Sequence, residues 1–163
     1  MSLRLLSPQP LTSDHLLDDF SCGETVLDEW LKRRALVNQI SGASRTFVVT
    51  DVERRVFGYY SLASGAVVRK AATGNVRRNM PEPIPVMVLG RLAVDRRAQG
   101  MKCGSALLKD AVERTLAVSQ NVGVRALLVH ALNDSARGFY EHYGFEESPL
   151  DRMTLMLRLG LIR

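Results

Sequence analysis

An apolar strand that stops at a polar, glycine-containing turn and runs straight into a helix is the sequence form of a phosphate cradle. Residues 84–119, IPVMVLGRLAVDRRAQGMKCGSALLKDAVERTLAVS, have that form. The turn from Arg97 through Gln99, Gly100, Met101, Lys102, Cys103 and Gly104 to Ser105 can point successive backbone N–H groups at one spot. The helix behind it adds unpaired donors and the positive end of its macrodipole. Gly100 and Gly104 also fit an ordinary strand-to-helix turn, so this segment alone leaves both readings open. Lys102 keeps its N–H, but if its site requires positive φ the side chain costs roughly 1 to 2 kcal/mol. Its ammonium can alternatively meet a phosphate.

Few other side chains compete for chemistry. Cys22 and Cys103 have neither C-x-x-C spacing nor a histidine cluster, so both read as free thiols and no metal site is expected. Cys103 lies where a helix N-terminus lowers a thiolate pKa, yet a small residue filling a turn explains it better. His15, His130 and His142 stand in no Ser/Cys or metal-ligand arrangement and read as structural or surface residues. The strongest charge feature is the segment 69–85, where Arg69, Lys70, Arg77 and Arg78 face one acid, Glu82, among three prolines. A break this long inside a compact domain suggests binding or mobility, and its charge suits a polyanion. The net charge of +5 agrees with that.

The elements that must position these residues are legible from spacing. Leu3 to Leu6 suggests a first strand, with a turn at residues 7–10 and a short helix from about Ser13. Ser21 followed by Glu24 fits a capping box, and Val26, Leu27, Trp30, Leu31 and Ala35 repeat on one helical face. Lys32, Arg33 and Arg34 take the other side, as a solvated face or a nucleic-acid contact. Residues 46–50 and 56–62 flank a polar turn and read as a hairpin whose second strand continues toward Val67 and Val68. After the central strand, turn and helix come a strand at 125–131, a helix at 135–143 and a strand at 153–159 alternating Met153, Leu155, Leu157 and Leu159. With 163 residues and no repeat or linker, the chain reads as one α/β domain spanning positions 1–163. No apolar run approaches the roughly 20 residues of a membrane span, and the N-terminal start lacks a signal-peptide pattern, so a cytoplasmic location is expected.

Two segments in order carry a family resemblance. The turn at residues 97–102 resembles the Q/R-x-x-G-x-G/A loop of the GNAT acetyltransferases, departing from it at Lys102, where the family has glycine or alanine. Residues 133–145, NDSARGFYEHYGF, resemble that family's N-x-x-A-x-x-F-Y-x-x-x-G-F segment. The pair implies the GNAT fold, a mixed, mostly antiparallel twisted sheet splayed at its centre and flanked by helices, with acetyl-CoA as cosubstrate. A narrower resemblance is to the acetyltransferase toxins of bacterial toxin-antitoxin pairs, carried by Phe20-Ser21-Cys22-Gly23, Leu27-Asp28-Glu29-Trp30-Leu31, the basic segment and Leu89-Gly90-Arg91-Leu92-Ala93-Val94-Asp95.

That resemblance implies acetyl transfer to the α-amine of aminoacyl-tRNA, which blocks translation, together with a ribbon-helix-helix antitoxin and a homodimer. It puts the pyrophosphate on residues 97–105 and the pantetheine along Leu92, Ala93 and Val94, with Asn133 on the pantetheine arm and Tyr140 as general acid. Arg69, Lys70, Arg77 and Arg78 are then the tRNA contacts. An α-amine has a reference pKa of about 7.7 to 8.0, so much of it is neutral and no strong enzymic base is demanded. Two other readings remain: a GNAT acting on a protein or small-molecule amine, and a non-catalytic nucleic-acid-binding module with a degenerate loop. Retention of Asn133 and Tyr140 argues against the second.

Overall fold

The computed structural model describes residues 3–160; Met1, Ser2 and positions 161–163, which the single-domain expectation includes, lie outside the described residues. The elements in order are β1 (Gln9–Pro10), α1 (Thr25–Trp30), a π-helical turn (Leu31–Ala35), α2 (Leu36–Ser41), β2 (Arg45–Thr50) and β3 (Val56–Val67). A 3-10 turn (Arg69–Ala71), α3 (Gly74–Arg77), β4 (Ile84–Val94), a 3-10 turn (Arg96–Ala98) and α4 (Cys103–Ser119) follow. The chain ends through β5 (Ala126–His130), α5 (Asp134–His142), β6 (Glu146–Glu147) and β7 (Thr154–Arg158). The strands form one mixed sheet in the order β1-β2-β3-β4-β5-β7-β6. β2 and β3 pair antiparallel, as the hairpin pattern requires. β4 and β5 pair parallel from Val86 opposite Ala126 to Leu89 opposite Val129, and β4 continues through Val94.

The chain folds as two compact units, the first Met1–Ala63 with Gly90–Ala111 and the second Ser64–Leu89 with Val112–Arg163. Each has its own core. In the first, Leu11, Phe20, Leu31, Ala35, Val48, Val56, Tyr59 and Ala93 are buried together, with Leu27 and Trp30 packed against them. Tyr59 hides its ring completely and places its hydroxyl on the Leu27 carbonyl at 2.7 Å, which makes that burial affordable for a polar tip. The second core gathers Val67, Ala72, Val76, Ile84, Val86, Ala126, Leu128 and Met156.

Several expectations at the start of the chain are corrected. Residues 3–6 form no strand; the edge pairing is made by Gln9 and Pro10 opposite Val48 and Phe47, while Leu6 only donates to the Thr50 carbonyl. No helix begins at Ser13, where turns lead to a single bridge between Leu16 and Arg55. Ser21 does not cap the first helix, because Glu24 is its N-cap and makes no side-chain cap bond. The apolar face holds at Leu31 and Ala35, which are buried, but Val26 is exposed.

The segment 69–85 is also more regular than its composition suggests, since it contains a 3-10 turn and α3 before β4 starts at Ile84. In β7, Thr154, Leu155 and Met156 are all buried, so both faces are covered there and the one-sided alternation does not apply. β7 lies between β5 and β6, a position that leaves no free edge.

Candidate active site

The turn after β4 is built around one carboxylate. Asp95 is 1% exposed, and it accepts the backbone N–H groups of Ser21 at 2.9 Å and Arg97 at 2.8 Å. The Arg97 guanidinium adds Nε at 2.8 Å and Nη2 at 3.0 Å while its plane lies over the Phe57 ring. Burial works against a charge here, but Arg97 and the two N–H groups outweigh it and hold the Asp95 carboxyl below the usual carboxylate range. Around that anchor, Gln99 Nε2 reaches the carbonyls of Val94 at 3.0 Å and Cys22 at 3.1 Å. Arg96 N donates to the Ser21 carbonyl, and Cys22 N donates to Asp28 on α1. The Ser21-Cys22 peptide is thereby fixed on one side by the turn and on the other by the first helix.

The turn then climbs into α4 through two left-handed residues, Gly100 with φ 85° and Lys102 with φ 62°. The positive φ that Lys102 needs is therefore real, and a residue with Cβ carries its cost. The first helical bond joins Ala106 N to the Lys102 carbonyl, which also accepts from Ser105 Oγ. The N–H groups of Cys103, Gly104 and Ser105 thus stand ahead of that bond without intrahelical acceptors, which suits an anion. Met101 and Lys102 are exposed.

Cys103 fills space rather than offering a thiolate. A Cβ on Gly58 would come within 3.0 Å of Cys103 Sγ and of Leu107 Cδ1, so the glycine lets α4 close on β3. Burial pushes the Cys103 thiol up to about 11. Cys22 is also raised to about 11, by burial and by Asp28. Upstream on β4, Ala93 is buried in the first core, and Leu92 and Val94 are half-buried.

In the other unit, Asn133 stands at the head of α5 and its Oδ1 accepts from Ala136 N at 2.9 Å, a side-chain N-cap. Tyr140 is buried on α5 between Phe139 and Phe145, with ring centroids 5.3 and 5.5 Å away. Burial raises its phenol well above the ordinary value, so it is protonated at neutral pH. His130 Nδ1 pairs with Thr154 Oγ1, His142 stacks edge-on with Tyr143, and His15 contacts Thr12.

The basic segment is held by its backbone. The Arg125 guanidinium donates to the carbonyls of Asn75, Val76 and Arg78 at 3.0 to 3.1 Å. Ser148 donates to the Ala71 carbonyl and Asn75 to Glu146. Arg69 places its guanidinium on the Met80 carbonyl and its N–H on Glu82. Arg69, Lys70, Arg77 and Arg78 are all exposed.

Residues 11–154 match the model of the acetyltransferase (GNAT) domain. The chain belongs to the GNAT acetyltransferase family. Its mixed seven-stranded sheet flanked by helices is the GNAT fold, as the two motifs implied. A curated relative, the tRNA-acetylating toxin of Mycobacterium tuberculosis (strain ATCC 25618 / H37Rv), is 50% identical over 151 residues, covering 93% of this chain and 90% of the relative. Among solved structures, AtaT complexed with acetyl-methionyl-tRNAfMet superposes with a TM-score of 0.90 at 30% identity, covering 98% of this chain and 97% of that one. A tyrosine-to-phenylalanine mutant of the AtaT toxin, bound to the C-terminus of the antitoxin AtaR and acetyl-CoA, matches at TM-score 0.83 and 30% identity over 98% and 96% of the two chains.

The structure also gives several residues a role that motif reading did not. Asp95, Ser21, Cys22 and Asp28 brace the turn, and Arg125 and Ser148 brace the basic segment. The only signal for the first group was its place in the segments that carry the toxin resemblance; for the second there was none.

Proposed function

We propose that this protein is a toxin that transfers the acetyl group of acetyl-CoA to the α-amine of an aminoacyl-tRNA and so blocks translation. The observation that carries the reading is 50% identity, across 93% of the chain, to a tRNA-acetylating toxin. The likeness to AtaT with acetyl-methionyl-tRNAfMet and to the AtaT mutant with acetyl-CoA supports both the acceptor and the donor.

Bound acetyl-CoA supplies the activated acetyl group as a thioester. The turn at Arg97, Gln99, Gly100, Met101, Lys102, Cys103, Gly104 and Ser105 holds its pyrophosphate, chiefly through the N–H groups ahead of α4, and the exposed Lys102 adds a charge beside them. Arg97 and Gln99 serve that cradle by fixing its shape, because their side chains are engaged by Asp95 and by two carbonyls. The backbone of Leu92, Ala93 and Val94 lines the pantetheine and offers N–H groups to the thioester oxygen. Asn133 holds the pantetheine arm. Tyr140, protonated at neutral pH, gives its proton to the departing thiolate.

Arg69, Lys70, Arg77 and Arg78, all exposed, form the tRNA contact, with the Arg69 guanidinium also bonded to the Met80 carbonyl. The whole chain acts as one cytoplasmic acetyltransferase domain, dimerises with a second copy and is neutralised by a ribbon-helix-helix antitoxin.

Transfer of labelled acetyl from acetyl-CoA to charged tRNA, to the same tRNA deacylated and to free amino acids tests the reading. Label on charged tRNA alone is expected; equal labelling of free amines would make the protein a general amine acetyltransferase. In the same assay Tyr140→Phe should lower turnover by about 10² to 10⁴ with coenzyme affinity nearly unchanged. Full turnover in that variant would remove Tyr140 from the mechanism.

A further inference from the structure

Several guanidinium groups in this fold are held by an acceptor. Arg55 meets Asp51, Arg97 meets Asp95, Arg137 meets Glu141 and Glu147, and Arg125 meets three carbonyls. Arg91, half-buried on β4, is different. Its guanidinium lies over the Trp30 ring, 4.3 Å from the centroid. Trp30 in turn stacks on Tyr59, with centroids 5.9 Å apart and planes 10° from parallel. Tyr59 is anchored by its hydroxyl bond to Leu27 and by an edge contact from Phe20 at 5.6 Å. The guanidinium therefore rests on a rigid aromatic stack.

Nothing accepts its hydrogen bonds: among the described residues, no carboxylate, carbonyl or amide oxygen is paired with Arg91. Burial correspondingly lowers its pKa. A contact between α1 and the sheet explains the stacking, and it leaves the donors of a half-buried guanidinium to water, which a ligand can replace. A guanidinium stacked by its face keeps its edge open, and that edge is the fork that grips phosphate oxygens in pairs.

Its place on the strand sets what it can meet. Side chains alternate along β4, so Arg91 shares a face with Ala93, whose methyl packs in the core that Leu27 and Trp30 cover. The guanidinium lies on the α1 face, on the residue immediately before Leu92, Ala93 and Val94. In an aminoacyl ester the carboxylate is tied up in the bond to ribose, so the anion nearest the α-amine is the phosphate of the terminal nucleotide. A free amino acid ester has no such group.

We propose that Arg91, held on Trp30, binds a phosphate at the 3′ end of the acceptor tRNA and so selects a charged tRNA over a small amine. This rests on the proposed acetylation of aminoacyl-tRNA. The test compares two acceptors of the same amino acid, its charged tRNA and its methyl ester, using wild type, Arg91→Gln and Arg91→Lys. Arg91→Gln should lower kcat/KM for charged tRNA by at least about tenfold, the worth of a charge-assisted bond, and leave methyl-ester transfer and acetyl-CoA affinity within about twofold. Arg91→Lys keeps the charge but loses the fork, and should fall between the two. The salt dependence of tRNA binding should flatten in Arg91→Gln by about 0.7 to 0.9 log units per log unit of salt.

An equal loss on both acceptors, or no loss on either, overturns the proposal and leaves Arg91 as a brace between α1 and the sheet. If wild type itself fails to prefer charged tRNA, the proposed function falls instead, whatever the variants do.

Discussion

The turn at residues 95–102 and the basic segment at residues 69–83 are both irregular stretches suited to anions, and they are built in opposite ways. At the turn a buried carboxylate, Asp95, collects N–H groups from Ser21 and Arg97, while the Arg97 and Gln99 side chains are engaged by Asp95 and by carbonyls. The polar groups left to a ligand are then chiefly backbone donors ahead of α4, with the exposed Lys102 beside them. In the basic segment a guanidinium, Arg125, collects carbonyls from Asn75, Val76 and Arg78, and side-chain cations are left outside. A backbone cradle fixes one anion in one place with little dependence on salt, whereas exposed cations grip a chain of phosphates loosely and lose affinity as counterions compete. One suits a pyrophosphate and the other a nucleic acid.

The largest effects should come from removing the two anchors. Asp95→Asn leaves the Arg97 guanidinium and part of the N–H set unmatched and should cost roughly 2 to 4 kcal/mol in chemical denaturation. Arg125→Gln should cost about 1 to 3 kcal/mol. The comparison predicts crossed consequences: Asp95→Asn weakens acetyl-CoA binding and spares tRNA, and Arg125→Gln does the reverse. If both variants weaken both ligands equally, the two regions are not separate devices.

The Asp95 effect should also depend on pH. Its folded pKa lies below the unfolded one, so its stabilisation is fully present above the ordinary aspartate value of about 3.9. It is lost as pH falls through the lower folded value, and the melting gap between wild type and Asp95→Asn should close there.

A middle-sized effect separates charge from scaffold. Replacing Arg77 and Arg78 by alanine together should leave stability within about 0.5 kcal/mol, because both are exposed. The salt slope of tRNA binding should flatten by about 1.4 to 1.8 log units if each neutralises one phosphate, while calorimetry with acetyl-CoA should see no change. An unchanged slope would move the polyanion contact elsewhere.

The smallest effect is the most local. Lys102→Gly removes a Cβ from a left-handed site at φ 62°, a relief of roughly 1 to 2 kcal/mol offset by about 0.5 to 1 kcal/mol of glycine's added chain entropy. A slight gain in melting temperature is expected. Tighter coenzyme binding in the same variant would mark the lysine as a strained substitution, and weaker binding would make its ammonium a phosphate ligand.

What the sequence determined by itself was local. The hairpin of β2 and β3, the run from β4 through the turn to α4, and α5 with Asn133 at its head follow from β-branched runs, glycine placement and helical spacing, which act over a few residues. The same locality explains the failures. Ser21 and Glu24 have the spacing of a capping box, but Asp95, 74 positions away, takes the Ser21 N–H instead. Gln99 reaches across 77 positions to Cys22, and Arg125 across 49 to Val76.

Only the tertiary structure decided those pairings, because nothing in the neighbourhood of a buried Asp or Arg names the distant backbone it will satisfy. Lys102 shows the division within a single residue. The family resemblance marked it as the place where glycine or alanine stands, and only the fold, by bending the chain into α4 at that point, made the left-handed φ obligatory.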